Sequence, residues 1–516
     1  MFKTLFFPAP RFCSPRCLPL AGLCVLLMSF APASAEVRLP ALLSDHMVVQ
    51  RDRPVHIWGW AEPGERVRVV FNGTGLDDTA DGAGRWSVYF APQQAGGPYE
   101  MTVEGANRLT VTDILVGEVW VGSGQSNMEW PVERVNAAEK EIAAAAYPKI
   151  RLFQVEHDTA HAPLTDVKGS WQLCTPESVK SFSAVAYFFA RDLHQKTGLP
   201  FGAIQSAWGG TPAQAWVSPS GMAADPWFIR FRLRWARALE AYPDAMKGYE
   251  YARKAWEAEA ERVRRTGKEP RPGPREPMGP LHPHQPSALF NAMIAPLTPF
   301  AIRGALWYQG ENNAENADGF EYRHLFRTLI EDWRKSWGLG EIPFLFVQLA
   351  NYSRVGENSQ WPELREAQAM ALSLRNTGMA VSIDIGESLD IHPRNKQDVG
   401  GRLALAARAM TYGESDLVYS GPLFRQAARE GSRLRLWFDH VGGGLKARGP
   451  LAGFEVLGPD GFWRPAEARI DGNNTIVVAA PKIGFPVAAR YGWSPNPTAT
   501  LFNAEGLPAS PFRSRD

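Results

Sequence analysis

Gly122-Ser-Gly-Gln-Ser-Asn-Met128 follows directly on the apolar run Val119-Trp120-Val121 and precedes a stretch able to wind into a helix. A strand that ends in a glycine-bracketed turn and restarts as a helix lifts one side chain clear of the sheet. It also leaves backbone N–H groups beside that side chain unpaired, where they can hold an oxyanion. This reading makes Ser126 the candidate nucleophile, with Gly124 permitting the tight turn and Asn127 opening the helix. The plain alternative is a Gly/Ser/Asn turn of no chemical consequence.

Working outward, strands and helices alternate over residues 114–420. Ala184 to Thr197 has helical spacing, and Phe201-Gly-Ala-Ile204 is a short apolar strand after the closing Gly198-Leu-Pro200. Arg303 to Trp307 leads a strand into another glycine turn, His324 to Trp337 is amphipathic, Phe344 to Leu349 reads as a buried strand, and Arg402 to Met410 as a helix. This order predicts an α/β fold with a mostly parallel sheet covered on both faces, whose ligands meet the carboxyl ends of the strands. A charged helical stretch from Phe228 to Arg265 and a Pro-rich stretch after it read as an insertion spanning about 220–286.

Two β blocks flank this region. In 36–113, Val67, Val69 and Phe71 alternate with Arg66 and Arg68, and Trp86, Val88 and Phe90 alternate with Ser87 and Tyr89. Turns fall at Glu62-Pro-Gly64, Asn72-Gly73 and Asp81-Gly82. That is a β-sandwich-like pattern. In 421–516, Leu434, Leu436 and Phe438 alternate, with further strands near Phe454-Glu-Val456 and Thr475 to Ala479. The two blocks are either separate modules or packed together.

Residues 1–35 read as an export signal and not as fold: Lys3, Arg11 and Arg16 come first, then an apolar run from Leu18 to Phe30, then Ala33-Ser34-Ala35. The run is too short to span a bilayer, and the destination is a periplasm or the outside medium. Three of the four cysteines lie in this segment, so the mature chain keeps only Cys174 and forms no internal disulfide. With a net charge of +1 and no basic patch interleaved with aromatics, nothing favours nucleic acid as a partner.

Three more motifs sit at ends of strands. Gln205-Ser-Ala-Trp-Gly-Gly-Thr211 offers the N–H of Gly209 or Gly210 to an oxyanion. Trp307-Tyr-Gln-Gly-Glu-Asn312 places Gln309 as a side-chain donor and Glu311 as a support for neighbouring loops. Asp390-Ile-His-Pro393 holds His392 on a proline-fixed loop, able to take the proton of Ser126, with Asp390 as the nearest carboxylate and Asp384, Glu387 and Asp398 close by. Each motif alone is compatible with an ordinary turn or packing role; together they carry the chemistry.

Gly-Gln-Ser-Asn-Met, Trp-Gly-Gly-Thr, Trp-Tyr-Gln-Gly-Glu and Asp-Ile-His-Pro-Arg-Asn-Lys-Gln, in this order, resemble the sialate O-acetylesterase-like group of the SGNH hydrolases. Leu39-Pro-Ala-Leu-Leu-Ser-Asp-His-Met47, Asn291-Ala-Met-Ile-Ala-Pro296 and Gly506-Leu-Pro-Ala-Ser-Pro511 are similar to it too. The resemblance implies a three-layer α/β/α esterase domain with flanking β structure and no metal or organic cofactor. It makes Ser126 the nucleophile and His392 the general base and then acid. It assigns the oxyanion hole to the Ser126 N–H, a glycine N–H from Gly209 or Gly210, and an amide side chain. Two departures stand out. The group's third-block asparagine is not evident, so Gln309 takes the donor role. The acid expected three positions before the histidine is replaced by Leu389, so either Asp390 reaches the ring by another turn or a backbone carbonyl orients it.

The implied substrate is an O-acetylated carbohydrate, with plant polysaccharide such as xyloglucan or xylan preferred because the insertion and the β blocks could build an extended cleft, and O-acetylated sialic acid as the alternative. Trp130, Trp208, Trp216 and Trp307 are candidates to stack on sugar rings. The rival classes are a carbohydrate-binding protein without activity and a metallohydrolase. The second is disfavoured because His157-Asp-Thr-Ala-His161 lacks the glutamate that follows the first histidine in a zincin helix. Oligomeric state is not legible.

Overall fold

The computed structural model describes residues 36–514, so the signal-like segment 1–35 lies outside the described residues. The central sheet runs in spatial order through Thr377–Ala380, Phe344–Val347, Gly304–Tyr308, Arg108–Gly124, Phe201–Ala207, Tyr147–Gln154 and Trp171–Cys174. All neighbours are parallel except the last pair, where Trp171–Cys174 adds an antiparallel edge. Every residue of Phe201–Ala207, Gly304–Tyr308 and Phe344–Val347 is buried, as expected for parallel strands covered on both faces.

Period-two alternation divides the side chains between those faces. Val119, Val121, Ala305, Phe344 and Phe346 pack with Leu325, Leu329 and Trp333 of the Tyr322–Trp337 helix and Leu364 of the Trp361–Met370 helix. Trp120, Leu306, Leu345 and Val347 pack on the other face, with Val185 and Phe188 of the Ala184–Thr197 helix and Leu403 and Ala407 of the Lys396–Thr411 helix. Full burial of one such side chain contributes roughly 1.5–3 kcal/mol. The Ala184–Thr197 helix has the boundaries its sequence predicts. The Ser183 side chain accepts from the Ala186 N–H at its start, and Gly198 closes it with a left-handed φ of 69°.

The N-terminal β block is continuous with this sheet. Arg108–Gly124 is one 17-residue strand, whose first part pairs antiparallel with Gly96–Glu104 and whose last part is the centre of the parallel sheet. It kinks at Asp113, which has a φ of 54° and a carboxylate held by the Arg151 guanidinium at 2.9 Å and His46 Nδ1 at 2.7 Å. The inserted helix is Ile229–Arg264, of which only Phe231 and Ala260 are buried. It is moored near its start by Arg234, which donates to both oxygens of Asp318 at 2.8 and 3.0 Å. The C-terminal block forms its own small sheets. It docks through the fully buried Arg365, which donates to the carbonyls of Ser494 and Pro495 at 2.8 and 2.9 Å.

The central register puts Gly124 opposite Ala207 on one side and Tyr308 on the other. Three adjacent strands therefore end level, at the place where the strand order changes direction from the strand that comes first in the chain, and their turns meet above the sheet.

Candidate active site

At Gly124 the backbone takes a φ of 140°, and a Cβ there would stand 2.1 Å from the Tyr308 carbonyl oxygen, so only glycine fits. The Gln125 N–H donates to that same carbonyl at 3.1 Å, and the Trp208 N–H donates to the Gly124 carbonyl at 3.1 Å. These bonds fix the turn from both sides. The chain then winds into the four-residue helix Ser126–Glu129, where the first N–H groups have no helical acceptor.

Ser126 Oγ lies 2.9 Å from His392 Nε2, across 266 residues of chain. His392 rides on a loop that ends in the Lys396–Thr411 helix, whose Asn395 cap accepts from the Asp398 N–H. The loop is tied to the serine turn by Asn127 Nδ2, which donates to the Ile391 carbonyl at 2.9 Å. Trp130 stacks on the imidazole, with ring centres 4.7 Å apart. Burial lowers the pKa of His392, a pull that Asp390 opposes and that the charges of Lys396 and Arg134 reinforce. The lowered pKa favours the neutral ring that a general base requires.

Asp390 sits beside the ring without bonding to it. Its Oδ1 accepts the His392 backbone N–H at 2.9 Å and stands 3.6 Å from Nδ1, beyond hydrogen-bond reach. The other acids of the motif are engaged elsewhere: Asp384 with Arg402 at 2.7 Å, Glu387 with the Arg394 N–H at 2.9 Å, and Asp398 with Asn395 at 2.8 Å.

Gln309 does not face the serine, which corrects the donor role expected of it. It is fully buried, and its amide nitrogen donates to Gln125 Oε1, the Thr211 carbonyl and Asn313 Oδ1 at 3.2, 3.2 and 2.8 Å, leaving no proton for an oxyanion. Asn312, three residues on, is the amide at the mouth. Its Nδ2 donates to the Gly210 carbonyl at 2.8 Å, and its N–H to Gln125 Oε1 at 3.2 Å. The Gly310-x-Asn312 spacing was the signal for it. Gly209 lies against the serine, since a Cβ there would meet Ser126 Cβ at 3.3 Å. Its N–H is occupied, however, donating to Glu129 Oε2 at 2.6 Å. The other oxygen of Glu129 is 2.8 Å from His157 Nε2, which raises the pKa of that histidine. The Gly210 N–H has no acceptor among the described residues.

Beneath the serine, Asn127 joins Glu311 and Lys396. Its Nδ2 donates to Glu311 Oε1 at 2.6 Å, and its Oδ1 accepts from Lys396 Nζ. Both ionisable groups are buried, which pushes the Lys396 ammonium down to about 7 and raises the Glu311 carboxyl. The role of Lys396 had no sequence signal beyond its place in the histidine motif.

Of the tryptophans, Trp216 and Trp307 are fully buried core residues, while Trp130 and Trp208 are half-buried. Among the described residues no group of three or more His, Cys, Asp or Glu side chains is arranged to hold a metal. His157 and His161 face different partners, Glu129 and Gln285. No helix among the described residues is long and apolar enough to cross a membrane.

A family model described as carbohydrate esterase, sialic acid-specific acetylesterase, matches residues 283–409, the stretch that carries Gln309, Glu311, Asp390 and His392. The sialate O-acetylesterase of Rattus norvegicus is 31% identical, over 97% of this chain and 98% of that protein. That of Homo sapiens is 30% identical over 95% of each. The crystal structure of a carbohydrate acetylesterase from Xanthomonas citri is 38% identical and matches with a TM-score of 0.79, covering 93% of this chain and all (100%) of that one.

Proposed function

This chain belongs to the sialate O-acetylesterase family, and on that premise we propose that it is a serine esterase that releases acetate from O-acetylated carbohydrates, O-acetylated sialic acid first among them. The observation that carries the chemistry is the 2.9 Å approach of Ser126 Oγ to Nε2 of a half-buried His392. The substrate preference moves from plant polysaccharide to sialic acid because the relatives matched over their whole length are sialate O-acetylesterases. The Xanthomonas citri carbohydrate acetylesterase, more similar in sequence, favours a second reading in which another acetylated sugar is the substrate.

In the proposed reaction Ser126 Oγ bonds to the acetyl carbonyl carbon while its proton passes to His392 Nε2, and the carbonyl electrons move to the oxygen. The Ser126 N–H, the Gly210 N–H and the Asn312 amide receive that oxyanion, since the Gly209 N–H is already bonded to Glu129. Collapse breaks the bond to the sugar oxygen, which takes the proton from His392. Water activated by the same ring then releases acetate from Ser126. These steps call for no metal or organic cofactor.

We read the sheet and its helices, within 114–420, as the three-layer α/β/α core of the SGNH hydrolases, flanked by the β blocks 36–113 and 421–516, the first joined to it by the continuous strand Arg108–Gly124. We also propose that the chain is exported, on the basic, apolar and Ala33-Ser34-Ala35 order of residues 1–35. The test is acetate release from O-acetylated sialic acid, acetylated xylan and acetylated xyloglucan by the protein and by Ser126→Ala. Loss of several orders of magnitude in the variant on the preferred substrate is expected. Equal release by both proteins would remove Ser126 from the mechanism, and no release from any substrate would favour a binding role.

A further inference from the structure

The rim of the site on the Trp130 side carries charge that the reaction does not use. Arg134 lies in the single 3-10 turn Val132–Arg134, with its guanidinium over the Trp130 ring at 5.6 Å, and Trp130 in turn stacks on His392. The Trp130 indole N–H donates to the Arg134 carbonyl at 3.2 Å, so the pair is held at both ends. Just beyond, the Asn136 N–H donates to the Arg394 carbonyl at 3.1 Å, bringing this turn against the histidine loop. Both arginines are exposed, and among the described residues neither has a carboxylate partner.

The acids nearby are engaged with backbone or histidine partners, Asp390 remaining about half exposed. Asp390 accepts the His392 N–H and Glu387 the Arg394 N–H, while Glu129 is shared between Gly209 and His157. Glu133 precedes Arg134 on a turn of three residues, so its side chain leaves the axis about 120° away. On the Trp130 side of His392 the charge without a side-chain partner of opposite sign is therefore cationic, and it is a planar fork lying over an aromatic ring, a group that receives a carboxylate with two parallel hydrogen bonds.

We propose that Arg134, with Arg394 beside it, forms a carboxylate-binding subsite that seats the acid group of an O-acetylated sugar acid while its acetyl group lies against Ser126. This rests on the esterase reading and names what it selects. A neutral acetylated sugar would leave the guanidinium to water; a sialic acid would fill it.

The experiment compares one sugar in two forms, O-acetylated N-acetylneuraminic acid and its methyl ester, which differ at the carboxyl group alone, with acetate release as the readout so that cleavage of the methyl ester is not counted. The ratio of kcat/KM for acid over ester is measured for the full chain, Arg134→Met, Arg134→Lys and Arg394→Met, with thermal unfolding as the folding control. The expected result is a ratio well above one that falls roughly tenfold in Arg134→Met, carried by KM, with Arg134→Lys between. A ratio near one in the unaltered protein, or a high ratio that neither methionine variant lowers, overturns the subsite. Should neither sugar be turned over, the same ratio is read as inhibition of aryl acetate hydrolysis by the deacetylated acid and ester. The subsite thus stands or falls apart from the substrate assignment.

Discussion

Replacing Asp390 by asparagine tests what orients His392. In the structure Asp390 Oδ1 is 3.6 Å from Nδ1 and bonded instead to a backbone N–H, and its side chain is 46% exposed. Two unit charges at that separation interact by about 1 kcal/mol in water and about 4–5 kcal/mol near a protein surface. Half exposure puts the benefit to the imidazolium formed during acylation at about 2 kcal/mol, which corresponds to a roughly 30-fold loss of kcat in Asp390→Asn. The pH profile supplies a second readout. Asp390 raises the pKa of His392, so its removal lowers that pKa and keeps the ring neutral further into acid. The acidic limb of kcat/KM must then move to lower pH. Steady-state kinetics on an aryl acetate from pH 4 to 8 measure both. A loss of about 10⁴-fold, the size seen where a carboxylate fixes the tautomer directly, would refute the reasoning by showing that Asp390 bonds Nδ1 in the working enzyme. No loss at all would refute it in the other direction.

Lys396→Met removes a buried cation that lowers the His392 pKa, so the acidic limb should shift upward, and unpairing the Asn127–Glu311 network should cost about 3–5 kcal/mol in urea unfolding. Glu129→Gln withdraws the carboxylate that raises His157, whose titration followed by NMR should move to lower pH. Gly124→Ala forces a Cβ to 2.1 Å from the Tyr308 carbonyl at a φ of 140°, and should destabilise the protein by about 3 kcal/mol or more in thermal unfolding, with loss of turnover.

The sheet was legible wherever one physical signal was enough. Short uninterrupted apolar runs such as Phe344 to Val347, bounded by turn residues, read as buried strands, and Ser183 and Gly198 mark the ends of a helix by their capping chemistry. Thr74–Thr79 went unread because a hairpin arm facing water on both sides carries no alternation, with no residue of it buried. At the site, spacing along the chain found the turns but not their orientation. Gln309 and Asn312 lie on one turn, and which amide opens outward depends on Thr211, Asn313 and Tyr322 having room to receive Gln309 inside. The Glu129 contact with Gly209 spans 80 residues and follows from the register that puts two strand ends level, which no local pattern encodes.

The same geometry suggests why so loosely held an acid can suffice. In a triad the carboxylate both orients the ring and offsets the charge it acquires; here the orienting is done by the loop. Pro393 restricts the backbone after His392, the Ile391 carbonyl is tied to Asn127, and Asn395 starts the following helix. Trp130 closes the remaining face of the ring. Asn127 is also bonded to Glu311 and Lys396, so one buried residue beside Ser126 holds the histidine loop and the third turn together. A ring fixed in this way by backbone and stacking needs from Asp390 only electrostatic support. The charges around it act in opposition, Asp390 raising its pKa and Lys396 and Arg134 lowering it. The balance favours a neutral ring before substrate arrives, next to the arginine proposed to meet a negatively charged one.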